Sequence, residues 1–124
     1  MKFISTKTHG FLDYIVAILL IAAPWLFGFY DGGAASWVPI GFGIATILYS
    51  LITDYELGVS HRLNMSTHLT LDVLSGFLLA LSPILLSFSD HVWLPHVIVG
   101  LFEIGTASMT KIVTGANAKG FANV

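Results

Sequence analysis

The 124-residue chain is one domain by length, and with 56% hydrophobic and only 10% charged residues it has too little polar surface to cover a soluble fold of its size. Its mean hydropathy of +0.86 points instead to an apolar solvent. A net charge of -2 without a basic run excludes a nucleic-acid partner, and the absence of cysteine excludes thiol redox chemistry, disulfides and Cys-ligated metal centres.

In chain order, Lys2 and Lys7 precede an apolar run from Tyr14 to Tyr30. The run is long for a signal-peptide core, and the cleavage-like Gly33-Ala34-Ala35 lies beyond it. We therefore expect an uncleaved first membrane helix. Four spans are predicted: Phe11–Tyr30, Trp37–Thr53, Leu69–Phe88 and Val92–Thr110. Each lies near the lower end of the roughly 17–25 residues needed to cross the hydrocarbon core. They are apolar nearly all round, unlike the striped helices of a soluble bundle. Within them stand the acids Asp13, Asp72 and Glu103, with no Lys or Arg.

Asp31-Gly32-Gly33-Ala34-Ala35-Ser36 links the first pair of spans and Ser89-Asp90-His91 the second, so each pair reads as an antiparallel hairpin. A longer link, Asp54 to Ser66, joins the halves. Lys2, Lys7, Arg62, Lys111 and Lys119 all fall on the side of the termini and this link, and the hairpin loops hold no Lys or Arg. By the positive-inside rule both termini should be cytoplasmic, in the inner membrane. Trp37, Trp93 and Tyr30 then belong to the opposite interface.

The chain repeats itself. Thr8–Asp31 aligned with Thr67–Asp90 gives ten identities in 24 positions, among them His9/His68, Asp13/Asp72 and Pro24/Pro83. After a shorter second loop, Trp37-Val38-Pro39 matches Trp93-Leu94-Pro95. We thus read two repeats, 8–54 and 67–111, joined by a cytoplasmic link at 55–66 within one membrane domain. The fold expected is all-α: a polytopic membrane four-helix bundle of two tandem helical hairpins, with pseudo-two-fold symmetry along the membrane normal.

Ala23-Pro24-Trp25 and Ser82-Pro83-Ile84, each near the end of the first helix of a two-helix unit, resemble the signature of the SPW-repeat membrane proteins. The first copy has Ala for Ser and the second has Ile for Trp. The resemblance covers nearly the whole chain. It implies a bacterial-type membrane protein of uncharacterised function, and brings no catalytic residues.

His9 and Asp13 stand one helical turn apart on one face, and His68 and Asp72 repeat them. A pseudo-two-fold axis would bring the pairs together, to hold a divalent metal or to ligate a haem through the two imidazoles. The structural alternative is a local His–Asp pair at each helix start, with Thr8 and Thr67 as N-caps. Glu103, mid-span, should face the bundle interior, with Tyr49, Thr106 and the Asp72/Ser75 turn as partners at its depth. It is either one end of a proton or cation relay towards Asp72 and Asp13, or a protonated packing residue. Pro24 and Pro83 should kink their helices, or flank a site. Small residues behind Asp13 (Ala17, Gly28) and behind Asp72 (Gly76, Ser87) predict close approach of the two first helices. Gly41-x-x-x-Ala45 offers a second close-packing face. His61, His91 and His96 are read as solvated.

No nucleophile arrangement, phosphate loop or zinc-protease spacing is present, so no enzyme and no obligatory cofactor are expected. The first reading is a non-enzymatic accessory or structural component, alone, as a homo-oligomer, or with a membrane-protein partner. The second is a proton- or cation-conducting protein using Glu103, Asp13 and Asp72. The third is a metal- or haem-binding electron carrier through His9 and His68.

Overall fold

The computed structural model describes residues 2–113; Lys119 lies outside them. Four helices follow in order: α1 (Thr6–Leu26), α2 (Ala34–Leu51), α3 (Met65–Leu85) and α4 (Leu94–Ser108). No strand is present among the described residues, only isolated bridges.

Helices α1 and α3 start and stop where cap chemistry dictates, not where hydropathy changes. Ser5 and Asn64 are the N-caps of α1 and α3, their side chains accepting from the backbone N–H of Thr8 (3.1 Å) and Thr67 (2.8 Å). Thr8 and Thr67 are therefore the capped donors, not the caps. At the far end, Gly28 (φ 70°) and Ser87 (φ 60°) take the left-handed conformation. Phe29 N–H then donates to Pro24 O, and Phe88 N–H to Pro83 O, each at 2.9 Å. This is a Schellman stop, and it ends α1 and α3 ahead of the predicted Tyr30 and Phe88.

Both prolines thus stand in the last turn of their helices, where they shape a stop, not a mid-helix kink. Pro83 cannot donate to the carbonyl of Leu79, and the Ser82 hydroxyl does so instead at 2.7 Å. In the first copy Trp25 stacks on Tyr30, ring centroids 5.0 Å apart at 16°. The triplet signature thus has a physical content: serine satisfies a freed carbonyl, proline sets the stop, and tryptophan covers the turn.

Packing inverts the soluble pattern. Ile15, Ile18, Leu48, Leu81, Ile98 and Leu101 are largely exposed, whereas His9, Asp13, Ser50, His68, Asp72, His96 and Glu103 are buried. Polar groups inside and apolar groups outside suit a lipid surround. Three helices are long and apolar enough to cross a membrane. α4 is apolar but has 15 residues, about 22 Å of rise.

Each hairpin closes on a glycine. A Cβ on Gly43 would stand 2.6 Å from Ala17 O, and one on Gly100 2.5 Å from Gly76 O. The small residues of α1 and α3 therefore serve contact within each hairpin, α1 on α2 and α3 on α4, in place of the expected α1–α3 approach. Gly41 and Ala45 face outwards, and nothing lies within 4 Å of a Cβ on Gly41.

The two copies clasp each other reciprocally. Phe3 and Ile4 N–H donate to Met109 O, and Lys111 N–H to Ile4 O; in the same way Arg62 and Leu63 N–H donate to Ile52 O, and Asp54 N–H to Leu63 O. The start of each repeat is thereby tied to the end of the other, and residues 2 and 113 lie at one end of the bundle. In this register Thr53 matches Thr110, Gly43 matches Gly100 and Thr46 matches Glu103. Trp37 then stands opposite Leu94, so the Trp-x-Pro match is one residue out of structural register. The helix-start chemistry explains why: Pro95 opens α4, whereas Pro39 lies inside α2.

Candidate functional site

The terminal end of the bundle gathers the repeated His–Asp pairs into one buried cluster. One ligand atom from each of His9, Asp13, His68 and Asp72 lies within 4.8 Å of the others. His9 Nε2 is 3.0 Å from Asp13 Oδ1 and 2.7 Å from Asp72 Oδ2. His68 Nε2 is 3.0 Å from Asp13 Oδ2 and 3.3 Å from Asp72 Oδ2. The side chains are 7% exposed or less. The two pairs do converge, each imidazole touching its own carboxylate and that of the other repeat.

The outer nitrogens decide the tautomer. His68 Nδ1 is 2.7 Å from Thr53 Oγ1, and His9 Nδ1 is 2.8 Å from Thr110 Oγ1. Each hydroxyl spends its only proton on a backbone carbonyl, Thr53 on Tyr49 O and Thr110 on Thr106 O, both at 2.6 Å. The threonine oxygens therefore accept, and both Nδ1 atoms carry hydrogen. Each Nε2 must then either hold a second proton or turn a lone pair towards the carboxylates. His68 Nε2 is buried without a hydrogen bond of acceptable angle, although Asp13 Oδ2 is within reach.

Two tyrosines complete the shell. Tyr49 donates to Asp72 Oδ1, and Tyr55 donates to Asp13 Oδ2 at 2.9 Å. Tyr55 comes from the link between repeats, which folds inwards. Tyr55 packs with Met65, Leu69 and Ala107, Glu56 accepts from Thr6 Oγ1, and Leu57 O accepts from Tyr14 at 2.9 Å. Burial and the neighbouring Asp13 carboxylate raise the Tyr55 phenol above its ordinary pKa, keeping it a donor. Sequence reasoning found the four cluster residues but missed Thr53, Thr110 and Tyr55. The threonines close their spans at matching places, a signal that the Trp-x-Pro alignment obscured.

Metal and haem make different demands on this cluster. Two imidazole nitrogens and two carboxylate oxygens suit a tetrahedral divalent ion. The Nδ1–H···Oγ bonds are the orienting contacts that metal-bound histidines make. A haem would need a slot between imidazoles, but here the carboxylates stand between them, their rings 5.4 Å apart at 76°.

Glu103 approaches the cluster from α4. Its Oε2 is 3.3 Å from the Ser75 hydroxyl, which shares its proton with the Asp72 carbonyl at 3.1 Å, while Oε1 is buried with no partner. Tyr49, expected beside Glu103, is taken by Asp72, and Thr106 donates to the Glu103 backbone carbonyl at 3.1 Å. Between Glu103 and the aspartates lies a cavity of about 10 Å³, bounded also by Leu12, Val16, Thr46, Phe102 and Thr106 and mostly apolar in its lining.

The remaining histidines differ from one another. His61 is exposed beside Asp54, and His91 is exposed beside Asp31. His96, expected in solvent, is 1% exposed. It donates from Nε2 to Ala35 O at 2.9 Å and lies against the rings of Phe29 and Phe88. Helix α4 opens at Leu94, so His96 is already on its inward face. Trp25, Trp37, Trp93 and Tyr30 are about half exposed at the hairpin-loop end.

The family model of the SPW repeat domain matches residues 7–110. No curated protein matches the chain, and no solved structure does.

Proposed function

The chain belongs to the SPW repeat domain family, and from that premise we propose that it is a non-enzymatic membrane protein that binds one divalent transition-metal ion between its repeats. His9 Nε2, His68 Nε2 and one oxygen each of Asp13 and Asp72 are the proposed ligands. One observation carries the reading: both imidazoles are fixed by threonine so that their free nitrogens meet two carboxylates in a buried cluster. Charge supports it, since a divalent ion cancels the Asp13 and Asp72 carboxylates and leaves the His–Asp cluster neutral. The ion would join the repeats, each supplying a His and an Asp, which suits a structural or accessory component working beside a second copy or another membrane protein.

We place the cluster at the cytoplasmic side of an inner membrane. Lys2, Lys7, Arg62 and Lys111 sit at its end of the bundle, and residues 31–36 and 89–91 carry no Lys or Arg.

The test is metal content and Co²⁺ absorption of detergent-purified protein. A single Zn²⁺ or Co²⁺ per chain, with a tetrahedral Co²⁺ spectrum lost in His68→Ala and Asp72→Asn, is expected. A wild-type preparation that neither contains nor takes up Zn²⁺ or Co²⁺ would sink the reading and leave a metal-free imidazolium–carboxylate clamp.

A further inference from the structure

We propose that Tyr49 and Tyr55 decide which divalent ion the His–Asp cluster takes. Each phenol holds one aspartate to a single metal bond, so four-coordinate Zn²⁺ or Co²⁺ is favoured over Mn²⁺, Mg²⁺ and Ca²⁺. The inference rests on the metal reading above and concerns the selectivity of that site.

Each aspartate of the cluster has one phenol. Tyr49 donates to Asp72 Oδ1, while Asp72 Oδ2 is the oxygen that both imidazoles approach, at 2.7 and 3.3 Å. Tyr55 donates to Asp13 Oδ2 at 2.9 Å and leaves Oδ1 3.0 Å from His9 Nε2. His68 Nε2 also lies 3.0 Å from Asp13 Oδ2, at an angle that makes no hydrogen bond. Duplication does not account for this pattern. In the register that matches Thr53 with Thr110, Tyr49 matches Thr106 and Tyr55 matches Ile112. Asp72 takes its phenol from α2, and Asp13 takes its phenol from the link. Two non-equivalent residues thus do the same thing to two equivalent carboxylates.

Ligand number turns these bonds into selectivity. Two imidazole nitrogens and two single carboxylate oxygens make four ligands, the number zinc takes in closed sites. Mg²⁺ and Ca²⁺ require six or more, nearly all oxygen, and Mn²⁺ favours oxygen as well. Here they could reach that number only through bidentate aspartates or added waters. Turning a phenol-bound oxygen to the metal would strand a buried hydroxyl. Water is short too, because the four side chains are 7% exposed or less.

Wild type, Tyr49→Phe and Tyr55→Phe are purified in detergent and compared by Co²⁺ absorption and by competitive titration of Zn²⁺ against Mn²⁺. Wild type should show the intense visible bands of four-coordinate Co²⁺ and bind Mn²⁺ far more weakly than Zn²⁺. Tyr49→Phe frees Asp72 Oδ1, so the bands should weaken as ligand number rises, and the preference for Zn²⁺ over Mn²⁺ should narrow by about tenfold. Tyr55→Phe should do the same from the Asp13 side. Helical content is checked for each variant, and if one fails to fold the other carries the test. Co²⁺ bands unchanged in the folded variants, or Zn²⁺ and Mn²⁺ affinities lost in equal proportion, overturn the proposal; the phenols then only pack the cluster shut. A wild type that binds Zn²⁺ and Mn²⁺ alike ends this inference alone, whereas a wild type that binds no metal ends the metal reading with it.

Discussion

Two threonine hydroxyls set the chemistry of the buried cluster at the scale of single residues. Thr53 and Thr110 accept from the imidazoles because their own protons are committed to helix carbonyls. Replacing either with valine keeps shape and removes the acceptor, leaving a buried N–H without a partner. Lost orienting bonds of this kind weaken metal binding by about 10–100-fold. Thr53→Val and Thr110→Val should therefore lower Zn²⁺ affinity by that factor in a competitive chelator titration, with the helical spectrum unchanged; unchanged affinity would leave the threonines as helix-end residues only.

Asp31 makes a residue-scale prediction at the opposite end. Its carboxylate accepts from Gly33 N–H and from the Ser36 hydroxyl, each at 2.8 Å, and these bonds hold its pKa below the usual carboxylate value. A carboxyl lowered on folding stabilises the folded loop above its unfolded pKa of about 3.9. That contribution fades as pH falls through the lower folded value. The Gly33 amide resonance should accordingly titrate with a midpoint below that of a free aspartate, and should stay flat in Asp31→Asn. A midpoint at the free value would show that the two bonds do not hold the loop.

At the scale of elements, the hairpins depend on glycines that the Gly41-x-x-x-Ala45 pattern does not identify. Gly43 and Gly100 are the points of contact, and Gly41 faces away from the bundle. Gly100→Ala forces α4 from the Gly76 carbonyl and should cost about 1–3 kcal/mol. Gly41→Ala should stay within about 0.5 kcal/mol. Reversible unfolding in mixed micelles measures both, and equal costs would mean that the close approach is not at Gly100. A span of apolar composition shows that a helix crosses, but small residues recur on several faces, and the packed one is chosen by the partner. Helix ends are more legible: Ser5 and Asn64 each stand three residues before the threonine they cap, where local chemistry alone sets the start.

At the scale of the molecule, the duplication is what made the fold readable. Two copies of Thr-His and Leu-Asp at the same spacing imply one axis, and an axis carries His9, Asp13, His68 and Asp72 to one place. What the sequence left dark was contributed by segments without helical periodicity. Tyr55 enters the cluster only because its link turns back into the bundle, and Gly58 packs too tightly on Thr53 O to admit a side chain. Glu103 was visible as an unpaired acid. The space beside it was not, because residues of all four helices border it and only the fold brings them together.

The reciprocal backbone clasp bears on how such a chain arose. A lone hairpin of this sort has a histidine whose threonine lies in another hairpin, so an ancestor with a single copy would have completed its polar centre by pairing with an identical twin. Joining such twins into one polypeptide would keep that exchange and free each half to differ, which fits an acid standing on one side only.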